Sequence, residues 1–149
     1  PLMITNLLEN KRIPIYGSGE NLRDWLHVMD TCRALLTIAE EAKPGSVFNI
    51  AAGQLVSNIE LAEKVIDVME KPRSFIQHVK DRPGHDFCYR LDATLIQRDI
   101  GFSPSISLDD GLPAVIQWYM DNGEWWREVK SGQYLRYYAE QYPEIASNG

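Results

Sequence analysis

The sequence predicts a mixed α/β fold that is rich in helices and has few strands. Hydrophobic residues make up 44% of the 149 residues and charged residues 24%, which are ordinary proportions for one globular domain. Short β-type runs are separated by longer segments with helical periodicity. Two or three strands are too few for a complete doubly wound sheet. We therefore expect a mixed α+β piece that lacks most of such a sheet.

The first forty residues predict a helix, an extended stretch and a second helix. Apolar residues from Leu2 to Leu8 lie roughly on one helical stripe, and Asn10 is an acceptable stop. Residues 12–16 read as extended because Pro14 disfavours a helix before it and a glycine-rich turn follows. We expect Asp30 to cap the next helix and residues 43–45 to stop it.

The middle of the chain predicts two strands around one capped helix. The apolar run Val47–Ala51 is bounded by glycines and suits a buried strand. Ser57 and Glu60 have the spacing of a capping box, which opens a helix. Residues 75–79 alternate between apolar and polar side chains and read as a second strand.

The last third predicts two helices and an aromatic-rich extension. Asp92 is expected to cap a helix that closes at Gly101. The next helix follows Ser107, and Pro113 moves its expected start to Asp109 or Asp110. We divide the chain into a main part, residues 1–123, and a helical extension, residues 124–149. The extension carries seven large apolar or aromatic side chains: Trp125, Trp126, Tyr134, Leu135, Tyr137, Tyr138 and Tyr142.

Charge and hydropathy exclude several classes of partner. With 15 basic and 21 acidic side chains the net charge is −6, which argues against nucleic acid as a partner. No apolar run approaches the roughly 18 residues of a membrane span, so we expect no membrane partner and a cytoplasmic location. Cys32 and Cys88 lack metal-site or CxxC spacing, which favours free or buried thiols and no metal.

The sequence contains no catalytic or cofactor-binding motif of its own. It has no G-x-G-x-x-G or G-x-x-x-x-G-K-[ST] loop, and no tyrosine is followed four residues later by a lysine. The chain starts with Pro1, followed at once by helix-like residues. We expect it to begin inside a longer protein and to show no turnover alone.

The first candidate anion site is a glycine-rich turn followed by an arginine. Its backbone N–H groups and the planar fork of Arg23 suit phosphate oxygens. The alternative is a β-turn in which Arg23 pairs with Asp24 or another carboxylate. The turn consists of Pro14, Ile15, Tyr16, Gly17, Ser18 and Gly19.

The second candidate site lies in the segment D-R-P-G-H-D, residues 81–86. The tight turn Pro83–Gly84 would bring Arg82 and His85 to one side, where both could donate to a diphosphate. The alternative is a solvated turn whose charges pair with each other. Asn49 is either a satisfied core amide or a ligand-reading amide at a strand end.

The motifs occur in an order that resembles a known enzyme family. P-I-Y-G-x-G-x-x-x-R-D-W is followed by V-x-D-x-x-x-A, F-N-I-A and D-R-P-G-H-D. This order resembles the C-terminal half of the extended short-chain dehydrogenases/reductases that act on sugar nucleotides. Within that group it most resembles the dTDP-glucose 4,6-dehydratases, for which D-R-P-G-H-D is the discriminating motif. Phe48-Asn49-Ile50-Ala51 departs from the Y-N-I-G of many members, which leaves the nucleobase preference open.

The resemblance implies a division of labour between two halves. The family's N-terminal half, missing here, binds NAD in a Rossmann sheet and supplies the residues that oxidise C4, eliminate water and return the hydride. The C-terminal half binds a nucleotide-sugar of the dTDP-glucose class, and the enzyme is expected to be a homo-oligomer. The alternatives are a related epimerase or decarboxylase half and a non-catalytic binding module.

The resemblance also implies roles for individual residues. Pro14 to Gly19 would line the nucleotide, and Arg23 would contact the phosphates. Asn49 would bond the nucleotide end. The segment Arg82, Pro83, Gly84 and His85 would close on the diphosphate.

Overall fold

The computed structural model describes residues 1–132 of the chain. Its helices are α1 Leu2–Leu8, α2 Val28–Glu41, α3 Asn58–Val68, α4 Thr94–Ile100, α5 Leu108–Asp121 and α6 Gly123–Lys130. Its strands are β1 Ile13–Tyr16, β2 Leu22–Asp24, β3 Leu55–Ser57 and β4 Ile76–Val79, with a 3₁₀ turn at Arg73–Phe75. The predicted aromatic positions from Tyr134 to Tyr142 lie outside the described residues.

The four strands form two separate two-stranded sheets. β1 runs parallel to β4, with Ile13 opposite Ile76 and Tyr16 opposite Val79. β2 runs antiparallel to β3, with Leu22 opposite Ser57. This arrangement confirms the predicted fold class, because helices dominate and the strands of residues 1–132 do not build a doubly wound sheet.

The core lies between α1, α3, α5 and β1. The apolar face of α3 is buried, and so are Ile13 and Ile15, the two residues of β1 that point inward. This cluster consists of Ile4, Leu7, Ile13, Ile15, Leu61, Ala62, Val65, Ile66 and Ile116. A second, smaller cluster of Ala34, Ile96 and Phe102 joins α2 to α4.

Several local predictions are confirmed. Ser57 and Glu60 form the capping box of α3: the Ser57 hydroxyl accepts from Glu60 N at 3.2 Å, and Glu60 accepts from Ser57 N at 2.8 Å. Gly101 closes α4 with φ of +70°, the left-handed conformation that glycine adopts without strain. Asn10 also has a positive φ of 55° just beyond α1.

The predicted strand Val47–Ala51 is wrong for the described part of the chain. No strand pairing forms there, and Val47 is 82% exposed. Phe48 and Ile50 nevertheless pack on the second cluster. The run is therefore held by packing on one side and finds no neighbouring strand among residues 1–132.

Three predicted helix starts need correction. α2 is capped by His27, whose Nδ1 accepts from Met29 N at 3.2 Å, while Asp30 is buried in the first turn. α5 begins at Leu108 rather than Asp109 or Asp110, so Pro113 lies inside the helix. Ala93 is the N-cap of α4, although Asp92 accepts from Thr94 N at 2.9 Å. A polar side chain near a helix start therefore binds a backbone N–H without occupying the cap position.

Candidate functional site

The glycine-rich turn continues the end of β1. Gly17 N donates to Val79 O at 2.9 Å, which extends the β1–β4 pairing by one residue. Gly17 has φ of +55° and Gly19 has φ of +79°. A Cβ on Gly17 would lie 3.0 Å from Asp81 Oδ2, so this turn rests directly on the carboxylate of the second motif. Glycine is required here by both conformation and space.

Backbone hydrogen bonds attach the second motif to β2. Leu22 N donates to Phe87 O at 2.7 Å, and Tyr89 N donates to Leu22 O at 3.2 Å. Asn21 adds a side-chain hydrogen bond from its amide to Asp86 O at 3.2 Å. Segments more than 60 residues apart in sequence therefore form one surface.

Aromatic rings lie under both arginines of the two motifs. The Arg23 guanidinium lies 4.3 Å from the ring centroid of Tyr89, and that of Arg82 lies 5.0 Å from the ring of Tyr16. The Tyr89 hydroxyl donates to the Asp86 carboxylate, which raises the pKa of Tyr89. We call this set of side chains the diarginine cluster: Tyr16, Arg23, Asp81, Arg82, His85, Asp86 and Tyr89.

His85 occupies the centre of the diarginine cluster. Its side chain is only 5% exposed, and its Nδ1 lies 2.6 Å from Asp81 Oδ1. Its Nε2 lies 3.4 Å from Arg23 Nη2, and its ring meets that of Tyr16 edge-on at 6.0 Å. The hydrogen bonds from His85 and from Arg82 N lower the pKa of Asp81, so this carboxyl group is an ionised acceptor.

Arg23 forms no ion pair with Asp24, although the β-turn alternative expected that pair. Asp24 accepts instead from Ala52 N at 2.7 Å and Gly53 N at 2.8 Å. Four hydrogen bonds of Arg23 go to the carbonyls of Leu22, Asp86 and Phe87 and to His85. Only Nε of its five N–H donors stays without a partner among the described residues.

The alternative for the second motif is partly correct, because His85 does pair with Asp81. The side chain of Arg82 forms no ion pair among the described residues and lies over Tyr16. At the turn Pro83–Gly84, Gly84 has φ of +67°, and Arg82 and His85 on either side of the turn both contact the Tyr16 ring.

Asn49 is not joined to the diarginine cluster by any described contact. Its amide donates to Asp92 O at 3.1 Å and is exposed. Asp92 lines an open cavity of about 470 Å³ together with Asp24 and Arg90. Asn49 therefore lies near a separate depression at the start of α4.

Sequence reasoning included Asp81 and Asp86 in the segment D-R-P-G-H-D and gave no role to them or to Tyr89, which follows the segment. The signal was present: Asp81 precedes His85 by four residues, and Tyr89 follows Asp86 by three. In a turn, such spacings allow side-chain hydrogen bonds. The stacking of Tyr89 on Arg23 had no local signal, because 66 residues separate the two by their numbers in the sequence.

The described residues do not fit an NAD site. The glycine-rich turn joins β1 to another strand, β2, instead of leading into a helix N-terminus. β3 passes directly into α3 without a glycine-rich loop. Within residues 1–132, no strand–glycine loop–helix unit of the dinucleotide-binding kind is present. No helix in this range is long and apolar enough to cross a membrane.

Comparison with curated proteins finds relatives along most of the chain. The chain is 43% identical over 131 residues to dTDP-glucose 4,6-dehydratase of Streptomyces niveus, covering 88% of this chain and 39% of that protein. It is 39% identical over 149 residues to dTDP-glucose 4,6-dehydratase 1 of Escherichia coli strain K12, covering 95% of this chain and 41% of the relative. The chain therefore spans about 40% of the length of these relatives.

Solved structures of the same kind superpose on the chain. The dTDP-glucose 4,6-dehydratase of Bacillus anthracis, in complex with NAD, matches with a TM-score of 0.80 and 38% identity, over 86% of this chain and 40% of that one. The Streptomyces venezuelae enzyme, with NAD and TYD bound, gives 0.80 and 37%, over 84% and 39%.

A UDP-glucose 4-epimerase of Thermotoga maritima is more distant, with a TM-score of 0.75 and 25% identity over 80% of this chain and 38% of that one. The family model described as GDP-mannose 4,6 dehydratase matches residues 1–115. With 115 of 149 residues matched, the chain belongs to this nucleotide-sugar 4,6-dehydratase family, and its relatives confirm the resemblance to the dTDP-glucose 4,6-dehydratases.

Proposed function

We propose that the chain is the nucleotide-sugar-binding part of a dTDP-glucose 4,6-dehydratase. The observation that carries this proposal is the diarginine cluster: Arg23 contacts His85, and Arg82 lies over the Tyr16 ring that also meets His85, although the two arginines come from distant segments. Two guanidinium groups suit an anion with oxygens on two adjacent phosphorus atoms. The stacked tyrosines hold both planar groups in place at low entropic cost.

The individual roles follow the order of the motifs. Residues 14–19 line the nucleotide, Arg23 and Arg82 contact the phosphates, and residues 83–85 close on the diphosphate. Asn49 bonds the nucleotide end only if the ligand reaches the depression beside Asp92. Residues 1–123 form the binding part in this proposal, and residues 124–149 form an extension whose Trp126 Nε1 donates to Tyr119 O at 2.8 Å.

In this proposal, groups outside the printed sequence perform the chemistry. The family reaction converts dTDP-glucose to the 4-keto-6-deoxy sugar by oxidation, water elimination and hydride return. Those steps need a hydride carrier and positioned acid and base groups. We propose that the chain alone gives no 4-keto product with dTDP-glucose and NAD. Product formed by a contaminant-free preparation would contradict this division of labour.

The partner and location of the chain follow from the same proposal. We propose a cytoplasmic homo-oligomer in which an NAD-binding half completes the fold. The support is a row of exposed apolar side chains on α2 and the segment after it: Val28, Met29, Leu35, Leu36 and Val47. Such a surface in a dissolved domain indicates a covering partner. A concentration-independent monomer by analytical ultracentrifugation would contradict the oligomer.

The binding role is tested by titration calorimetry with dTDP at fixed ionic strength. A hydrogen bond to a charged group contributes about 1.5–3 kcal/mol, so Arg23→Ala and Arg82→Ala should each weaken binding by roughly 10- to 150-fold. If both arginines hold one ligand, the double variant should depart from additivity. Lysine at either position should restore only part of the affinity, because it keeps the charge and loses the fork.

The matched control for both variants is Arg98→Ala. Arg98 is an exposed arginine whose side chain pairs with Asp99 at 2.7 Å, on α4. Its removal should leave the dissociation constant of dTDP unchanged. Wild-type affinity in a folded Arg23→Ala or Arg82→Ala protein would remove that arginine from the site. Tighter binding of UDP than of dTDP would favour the related epimerase instead.

A further inference from the structure

The protons around His85 can be assigned from its partners. Asp81 is ionised, so its oxygens accept hydrogen bonds and donate none. One of them lies 2.6 Å from His85 Nδ1, which places a proton on Nδ1. Arg23 is always protonated and lies 3.4 Å from His85 Nε2, so that nitrogen must accept. In the unliganded chain His85 is therefore neutral, with its proton on Nδ1.

The charges that face His85 balance one another. Asp81 and Arg82 lie on its own segment, Arg23 reaches it from β2, and Tyr16 covers it from β1. The Asp86 carboxylate acts one step further out: it accepts from the Tyr89 hydroxyl, and the Tyr89 ring stacks on Arg23. The cluster thus holds two guanidinium groups and two carboxylates, and only Asp81 of the two carboxylates contacts the neutral imidazole.

A bound diphosphate changes this balance. The diphosphate of a nucleotide-sugar carries one negative charge on each phosphate, and it would meet a cluster without net positive charge. Phosphate oxygens compete for Arg23 Nη2, and once this donor turns from His85 Nε2 to the ligand, an unprotonated Nε2 would direct its lone pair at phosphate oxygens, which repel it. A proton on Nε2 removes the repulsion and adds a charge-assisted hydrogen bond. Asp81 already holds Nδ1 and offsets the charge of the imidazolium.

We propose that diphosphate binding takes up one proton from solvent onto His85 Nε2, and that Asp81 is the positioning residue for this step. The proposal rests on the proposed function, since it deepens the role of the same site. The imidazole becomes an imidazolium by gaining the proton. No other covalent bond forms or breaks, and Arg23 Nη2 exchanges its hydrogen bond to Nε2 for one to the ligand. By linkage, uptake of about one proton makes the dissociation constant rise by about tenfold for each pH unit above neutrality.

The test is calorimetry with dTDP-glucose in two buffers that differ in ionisation enthalpy. This ligand is esterified at both ends of its diphosphate, so neither phosphate releases a proton near neutral pH. At pH 7.5 the wild-type chain should take up about one proton per ligand. His85→Gln should bind more weakly, take up no proton and lose the pH dependence.

Asp81→Asn separates the charge of Asp81 from its hydrogen bond. The amide oxygen can still accept from His85 Nδ1 and from Arg82 N, so the geometry is preserved. Proton uptake should nevertheless fall below half of the wild-type value, with dTDP-glucose binding at least tenfold weaker. The control is His27→Asn, which keeps a capping acceptor at the start of α2 and should retain full uptake.

A second measurement reports the protonation state directly. Long-range ¹H–¹⁵N spectra should show His85 Nε2 as an acceptor nitrogen in the free chain and as a protonated one after addition of inorganic pyrophosphate. His27 and His78, the other two histidines, serve as internal references. Binding of dTDP-glucose without proton uptake would overturn this inference and leave the proposed function intact. Absence of dTDP-glucose binding would overturn the proposed function, and unchanged His85 nitrogens with pyrophosphate would overturn the inference as well.

Discussion

The carboxylate of Asp30 is the strongest single polar anchor in the described part of the chain. It is 1% exposed and accepts from Ser105 N at 3.0 Å, Ser105 Oγ at 2.9 Å and Ile106 N at 2.9 Å. Arg33 Nη2 adds an ion pair at 2.6 Å. Asp30 thereby attaches the segment before α5 to the first turn of α2.

We expect Asp30→Ala to destabilise the chain by about 3–5 kcal/mol. Removing one partner of a buried charged network leaves the other groups without compensation, and each unsatisfied backbone N–H adds to the loss. Small domains are stable by about 5–15 kcal/mol in total, so the variant should be close to unfolding. Asp30→Asn keeps the shape and one accepting oxygen, and should cost about 2 kcal/mol.

Urea denaturation followed by circular dichroism measures these losses. Asp99→Ala is the control, because Asp99 is an exposed carboxylate whose pairing with Arg98 lies on the surface. Its midpoint should stay close to that of the wild type. A loss below about 1 kcal/mol for Asp30→Ala, with an unchanged m-value, would refute the view that this network stabilises the fold.

Three further outcomes follow from named contacts. Gly17→Ala and Gly53→Ala should each cost about 1–2 kcal/mol, because both glycines have positive φ. Only Gly17→Ala should weaken dTDP binding in calorimetry, since its Cβ meets Asp81 while nothing lies within 4 Å at Gly53; equal binding in both would contradict the contact. Ser57→Ala should lower stability to urea by about 1 kcal/mol through loss of the capping box, with exposed Ser46→Ala as control. Burial raises the pKa of Asp30, but hydrogen bonds from Ile106 and Ser105 and the charge of Arg33 outweigh it and lower the pKa. Because the pKa of Asp30 is lower in the folded chain, its ionised carboxylate contributes stability above about pH 4, and this contribution is lost as the pH falls further. Below about pH 4, the urea midpoint of the wild type should therefore fall more steeply than that of Asp30→Asn.

Local signals in the sequence predict the helices better than the strands. The capping box at Ser57 and the left-handed Gly101 are encoded within four residues, and both are confirmed. β2 and β3 are three residues each, and their pairing joins Leu22 to Ser57 across the chain. Periodicity cannot reveal a strand so short. Val47–Ala51 shows the converse, because an apolar run does not form a strand without a neighbour to pair with.

The candidate site shows the same division between local and distant information. The motif spacing predicts that Arg82 and His85 lie on one side of a turn, and the structure places both against Tyr16. The partners of Arg23 could not be predicted, because they are carbonyls of Asp86 and Phe87 on a segment more than 60 residues away. Every residue has a main-chain carbonyl that can accept a hydrogen bond, so the amino-acid sequence does not indicate which carbonyls Arg23 binds.

These carbonyl contacts give Arg23 a structural role in addition to the proposed ligand contact. A free guanidinium fork would only bind a ligand, whereas Arg23 also holds the segment that carries Arg82 and His85. Its remaining donor, Nε, leaves room for one direct hydrogen bond unless a ligand displaces a carbonyl. The affinity lost in Arg23→Ala therefore combines a lost contact with a loosened partner segment. Since Arg82 makes no described hydrogen bond with its side chain, the same substitution there should remove the proposed ligand contact and the stacking on Tyr16 without releasing that segment.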